Sequence, residues 1–127
     1  MARAAGLTER TEQALARGIA LFDAQRFWEA HEAWEEAWMD EEGDVRVFLQ
    51  GLIQVAAGYY KATVQDQPGG CVKLLGSGLA KLRLVPDVVG GIALGAFTSQ
   101  VERTLEDARR WQRGGERIDP ARIPRLG

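Results

Sequence analysis

The chain has 127 residues, of which 46% are hydrophobic, and carries a formal net charge of −2. That length builds one core without help from disulfides. A charge so near zero excludes bulk nucleic-acid binding, which needs a basic surface.

The charge is uneven, however. Residues 1–44 hold 11 acids and 4 bases, whereas residues 45–127 hold 7 acids and 12 bases. Halves of net −7 and +5 predict that one docks on the other, within a chain or between chains. Contact of the basic tail with an acidic partner is the alternative. The lone Cys71 allows no internal disulfide framework, which suits a reducing compartment. Residues 1–6 lack the apolar core of a signal peptide. The longest apolar tract, residues 49–60, is interrupted by Gln50 and Gln54 and is too short to span a bilayer. A soluble, cytoplasmic protein with no membrane contact is expected.

In chain order, residues 1–7 read as a flexible arm. Thr8 is placed to cap a first helix over about 9–24, with Glu9 and Glu12 in the turn where the dipole favours anions. Leu15, Ile19 and Phe22 supply its period. After a turn at residues 23–26 comes a second helix, about 26–39. Asp40, Glu41 and Glu42 oppose the dipole at its end, so that end is expected to fray. Asp44 can cap a third helix, about 45–64, whose apolar residues run nearly all round, as in a helix surrounded by others. Gly51 and Gly58 mark where another backbone can approach. Pro68 opens a fourth helix, about 69–84, in which Gly76 and Gly78 each cost about 1 kcal/mol relative to Ala. A Pro/Gly connector over residues 85–91 leads to a fifth helix, about 92–113, with Phe97, Val101, Leu105, Ala108 and Trp111 inward. Gly114 and Gly115 stop it. Residues 116–127, with Pro120 and Pro124, form an extended tail. No sustained period-2 alternation, Asn-Gly hairpin or internal repeat competes with the helices.

The second helix dominates this scheme. At 100° per residue, Phe27, Ala30, Trp34, Ala37 and Trp38 share one face, and His31 falls among them. Glu35 follows His31 by four residues, one turn on. Glu29 and Glu36 point to solvent. Trp28, Glu32 and Glu35 form a second stripe, which suggests a groove wall or a contact surface. On the third helix Gln50, Gln54 and Lys61 make a polar line.

Two strings within these helices resemble a known family. Phe27-Trp28-Glu29-Ala30-His31-Glu32 with Trp34-Glu35 and Trp38, followed by Phe48-Leu49-Gln50-Gly51-Leu52-Ile53-Gln54, is similar to the bacterial and archaeal domain-of-unknown-function family numbered 309. The resemblance covers residues 15–85 and implies a small all-helical domain. It implies no biochemical activity. The family pattern usually places a second histidine shortly after the Gly-Leu-Ile-Gln string. Here that region reads Tyr59-Tyr60-Lys61, with Lys61 at the histidine position, so a two-histidine metal site has no basis in this chain. The pattern also often has Gly-Asn before the fourth helix, where this chain has Asp66-Gln67.

Three readings of His31 and Glu35 follow from the residues. A half-buried histidine satisfied by Glu35, Gln50 or Gln54 would fix how two helices meet. A ligand site would add Trp28, Glu32 and Lys61, the last as counter-charge to a polar or anionic ligand. An acid–base pair would make a small hydrolase. Metal spacing fails: His31-Glu32-Ala33-Trp34-Glu35 has Glu where the zinc-protease helix needs its second histidine. Trp28 stands where a di-iron helix needs Glu. Ser77, Ser99 and Cys71 lie in no nucleophile motif. Gly69-Gly70 and Gly90-Gly91 lack the context of a phosphate loop.

The resulting expectation is an all-α bundle of about five helices with helix three central, forming one domain over residues 1–127. Its function is expected to be non-enzymatic: a binding or interaction module with a fixed His/Glu/Gln site, no cofactor or metal, and a homodimeric state. A small polar ligand is the expected occupant; the hydrolase is the alternative.

Overall fold

The computed structural model describes residues 7–127 of the chain. Five α-helices account for its architecture: α1 (Glu9–Asp23), α2 (Phe27–Trp38), α3 (Gly43–Thr63), α4 (Pro68–Leu82) and α5 (Leu94–Gln112). The all-α bundle expected from the periodicities is what forms. Each helix packs on the next in sequence, and α3 lies between its most extensive neighbours, α2 and α4. No helix among the described residues is long and apolar enough to cross a membrane.

The core converges on Phe22. Its ring contacts Phe27, Trp34, Tyr59 and Phe97, with centroids 5.1 to 5.9 Å apart, so α1, α2, α3 and α5 meet there. Trp34 has no solvent exposure and donates its indole N–H to the Leu15 carbonyl at 3.3 Å. That approach needs Gly18, where an added Cβ would stand 2.1 Å from the indole nitrogen. The rings pair at offset and edge-on angles that add to simple area burial. Thr104, which no apolar pattern flags, is fully buried because its hydroxyl meets the Tyr59 phenol at 2.7 Å.

Thr8 caps α1 as expected, accepting from the Thr11 amide at 3.1 Å. Asp44 does not cap α3. That helix starts at Gly43, so Asp44 lies inside its first turn and faces the dipole instead. Two of the three acids after α2 are held. Asp40 pairs with Arg10 at 2.9 Å and Glu41 accepts from the Thr11 hydroxyl, so the start of α1 holds the end of α2.

The connector before α5 holds a two-stranded antiparallel ribbon, β1 (Val88–Val89) and β2 (Ile92–Ala93). The sequence reading, tuned to longer alternation, passed over it. The Gly90-Gly91 turn has φ of +59° and +78°, the mirror-image turn that two-residue hairpins prefer. Of the expected flexible arm, Leu7 is buried at 1% exposure, and residues 1–6 lie outside the described residues. The tail is irregular apart from a 3-10 turn at Pro120–Arg122, but it is anchored. Ile118 and Ile123 are buried, and Asp23 accepts the Leu126 and Gly127 amides at 2.7 and 3.0 Å.

The charge asymmetry is not neutralised by docking within the chain. Arg10–Asp40, Arg17–Glu36 and Arg26–Glu29 stay within the acidic half. Arg83–Glu102, Arg109–Glu106, Arg117–Asp66 and both partners of Asp107 stay within the basic half. Among the described residues only Arg125–Asp23, at 3.8 Å, crosses between them.

Candidate functional site

Helix periodicity puts His31 and Glu35 one turn apart on α2, and the structure joins them. His31 Nε2 lies 2.7 Å from Glu35 Oε2; the imidazole is 15% exposed and the carboxylate 48%. A carboxylate can only accept, so Nε2 carries the hydrogen and the imidazole is held as that tautomer. One oxygen of Glu35 is engaged, and the other remains available. Gln50 and Gln54 do not reach His31. Its Nδ1 is buried with no partner, and so is the indole nitrogen of Trp38; these are the two such side-chain atoms among the described residues. Each buried polar group left unpaired costs about 1–3 kcal/mol.

Glu35 lines a cavity of about 270 Å³ between α2 and α3, together with Trp38, Gln50, Ile53 and Gln54. Gln54 is oriented by Lys81 on α4, whose ammonium donates to Oε1 at 2.9 Å. That bond turns the amide N–H₂ of Gln54 away from Lys81. The Trp38 indole carries the Arg46 guanidinium over its ring, 4.0 Å from the centroid. Glu35 also borders a second, shallower concavity of about 470 Å³ with Glu32, Glu36 and Met39. The two hollows thus share one carboxylate, and neither is lined by a basic side chain.

The structure brings Glu35, Gln50 and Gln54 to one cavity and Glu32 to its outer continuation. Trp28 is set apart. It is 45% exposed and its ring contacts those of His31 and Tyr60 at tilted angles, with centroid distances of 4.7 and 5.0 Å. Lys61 does not line the cavity. Its aliphatic stem runs over Gly70 at the start of α4, where an added Cβ would meet Lys61 Cδ at 3.1 Å. Sequence reasoning missed Lys81, because a contact spanning 27 positions depends on the α3/α4 register. It also placed Trp38 wholly in the core, and gave Ile53 no part in the site. Their helical phase does point both residues towards the α2/α3 junction, which was the available signal.

Among the described residues no three His, Cys, Asp or Glu side chains converge as metal ligands would. Cys71 is fully buried, and burial pushes its thiol up to about 12, far from a nucleophile's range. The family described as domain of unknown function (DUF309) matches residues 15–74, which takes in α2, α3 and the start of α4. No curated protein matches the chain.

Proposed function

From a chain whose residues 15–74 are a match to that domain of unknown function, we infer a non-enzymatic binding module whose site is the α2/α3 cavity. One observation carries this reading. Glu35, whose Oε2 is held by His31 at 2.7 Å and whose other oxygen has no partner among the described residues, lines a cavity together with the side chains of Gln50 and Gln54. Small-ligand sites combine such apolar walls with a few fixed polar groups, and here Trp38 and Ile53 supply the walls. His31 acts as a positioning residue that limits the rotamers of Glu35. The ligand class is small and polar, or a short segment of a partner protein.

The hydrolase alternative draws on the same His31–Glu35 distance. Against it, the imidazole spends Nε2 on Glu35 and buries Nδ1, so neither nitrogen is presented to a substrate in the cavity. Homodimerisation stays part of the proposal because of the uneven charge. The acidic face of α2 and the arginines of α5 are left with few partners across the two halves of one chain.

The test is a fragment screen by amide and indole NMR. Binding that shifts Gln50, Gln54 and the Trp38 indole together supports the reading. A screen in which fragments bind only elsewhere would refute it.

A further inference from the structure

We propose that the α2/α3 cavity takes a guanidinium group, stacked against Trp38 and bound through the free oxygen of Glu35 and the carbonyl oxygen of Gln50. This rests on the cavity being a ligand site, and it names the chemistry of the occupant.

Four features lead there. First, the cavity is about 270 Å³, room for a guanidinium and part of its alkyl stem. Second, the one charged group that lines it is an acceptor. Glu35 keeps one free oxygen, and the Gln50 side chain has no hydrogen bond to any described residue, so its carbonyl is free to turn inward. A guanidinium offers five N–H donors in one plane and no acceptor, which matches such a wall. Third, the lining includes an indole, the ring that best attracts a cation. The chain already uses this ring so: Arg46 lies over it at 4.0 Å. Fourth, the field is negative. Glu32 and Glu36 border the outer hollow that shares Glu35, and Glu32 has no ion-pair partner among the described residues. A carboxylate or phosphate ligand would enter against that field, with no cation lining the cavity to receive it. Lys81 is spent on Gln54, and Lys61 lies over Gly70.

The guanidinium has two sources of the same chemistry: a free small molecule, or an arginine of a second copy of this chain. The basic half carries seven arginines after residue 102, and Arg103 and Arg113 have no acidic partner among the described residues.

The experiment is an NMR titration of the full chain at low salt with N-acetyl-arginine amide. Its neutral isostere N-acetyl-citrulline amide and N-acetyl-glutamate amide serve as comparison probes. The expected result is millimolar binding of the arginine probe that moves the Trp38 indole and the Gln50 and Gln54 side-chain amides. Citrulline should bind at least about tenfold more weakly, since a hydrogen bond to a charged partner is worth more than a neutral one. Glu35→Gln, which can still accept from His31, should weaken arginine binding by a similar factor, and so should Gln50→Leu from the other wall. If citrulline or glutamate binds the same resonances as well as arginine, the cavity remains a ligand site and the guanidinium assignment falls. If none of the probes moves these resonances, the assignment is overturned; the fragment screen then decides separately whether the cavity binds anything. Light scattering distinguishes the sources. A dimer dispersed both by arginine and by Glu35→Gln takes its guanidinium from a second copy, whereas a monomer that binds the probe takes it from a separate molecule.

Discussion

Gly51 on α3 and Gly78 on α4 face each other with no room for a side chain on either. A Cβ on Gly51 would stand 3.2 Å from the Gly78 carbonyl oxygen, and a Cβ on Gly78 would stand 2.8 Å from that of Gly51. The close approach that Gly51 and Gly58 permit is therefore used inside the chain. Gly58 faces Leu75 of α4, where an added Cβ would meet its side chain at 2.9 Å. These glycines lend no support to a dimer.

The pair yields a prediction of opposite signs within one helix. Gly78→Ala should destabilise by about 1–2 kcal/mol, because overpacking outweighs the gain in helix propensity. Gly76→Ala, with nothing within 4 Å of the new methyl, should stabilise by about 0.5–1 kcal/mol. Urea melts of the two variants check this. Equal effects would mean that α3 and α4 are not in this register.

Trp34 and Glu36 lie two positions apart on α2 and should respond very differently. Trp34→Ala should cost about 3–5 kcal/mol, since it empties a site with no exposure and removes the indole bond to the Leu15 carbonyl. Glu36→Ala removes only a surface pair with Arg17 and should stay within about 0.5 kcal/mol. The same denaturation assay reads both.

Much of this was legible beforehand. The 3.6-residue period located all five helices, and the i,i+4 spacing of His31 and Glu35 was enough to predict their contact, since that depends on one helix alone. What escaped depends on how helices register against one another. Lys81 meets Gln54, Thr104 meets Tyr59 and Gly18 receives Trp34 only after α4, α5 and α1 have docked. Lys61 was placed in the site because it shares a face with Gln54. Two turns further along α3, that face has passed from the α2 side to the start of α4.

Alkaline pH should loosen the core. The Cys71 thiol is raised by burial from its ordinary 9 to about 12, and burial also raises the Tyr59 phenol above its usual value despite the bond to Thr104. Each group is favoured neutral in the folded state. Their contribution is thus fully present below the unfolded values and is lost as pH rises, for Cys71 between about 9 and 12. Stability measured by urea melts should fall across that window, and Cys71→Ala should flatten the fall while lowering stability at neutral pH. Below the window the native thiol should resist a water-soluble disulfide reagent until the chain unfolds.

The last prediction concerns Asp23, the clasp of the tail. Its carboxylate is 10% exposed, accepts the Leu126 and Gly127 amides at 2.7 and 3.0 Å and lies 3.8 Å from the Arg125 guanidinium. Nearby, the Gln25 side chain donates to the Pro120 carbonyl at 2.9 Å, from a backbone held at φ +59°. These polar contacts hold the tail across the end of α1, while Ile118 and Ile123 anchor it to the core. Asp23→Ala should release the end of the tail without melting the bundle. The expected signs are loss of hydrogen-exchange protection at Leu126 and Gly127, faster cleavage after Arg125 by trypsin, and a stability cost of about 1–3 kcal/mol. Asp23→Asn should fall between, because an amide oxygen still accepts one amide but without charge assistance. If protection at Leu126 survives in Asp23→Ala, the apolar anchors alone hold the tail, and the carboxylate only decorates a contact that Ile123 already secures.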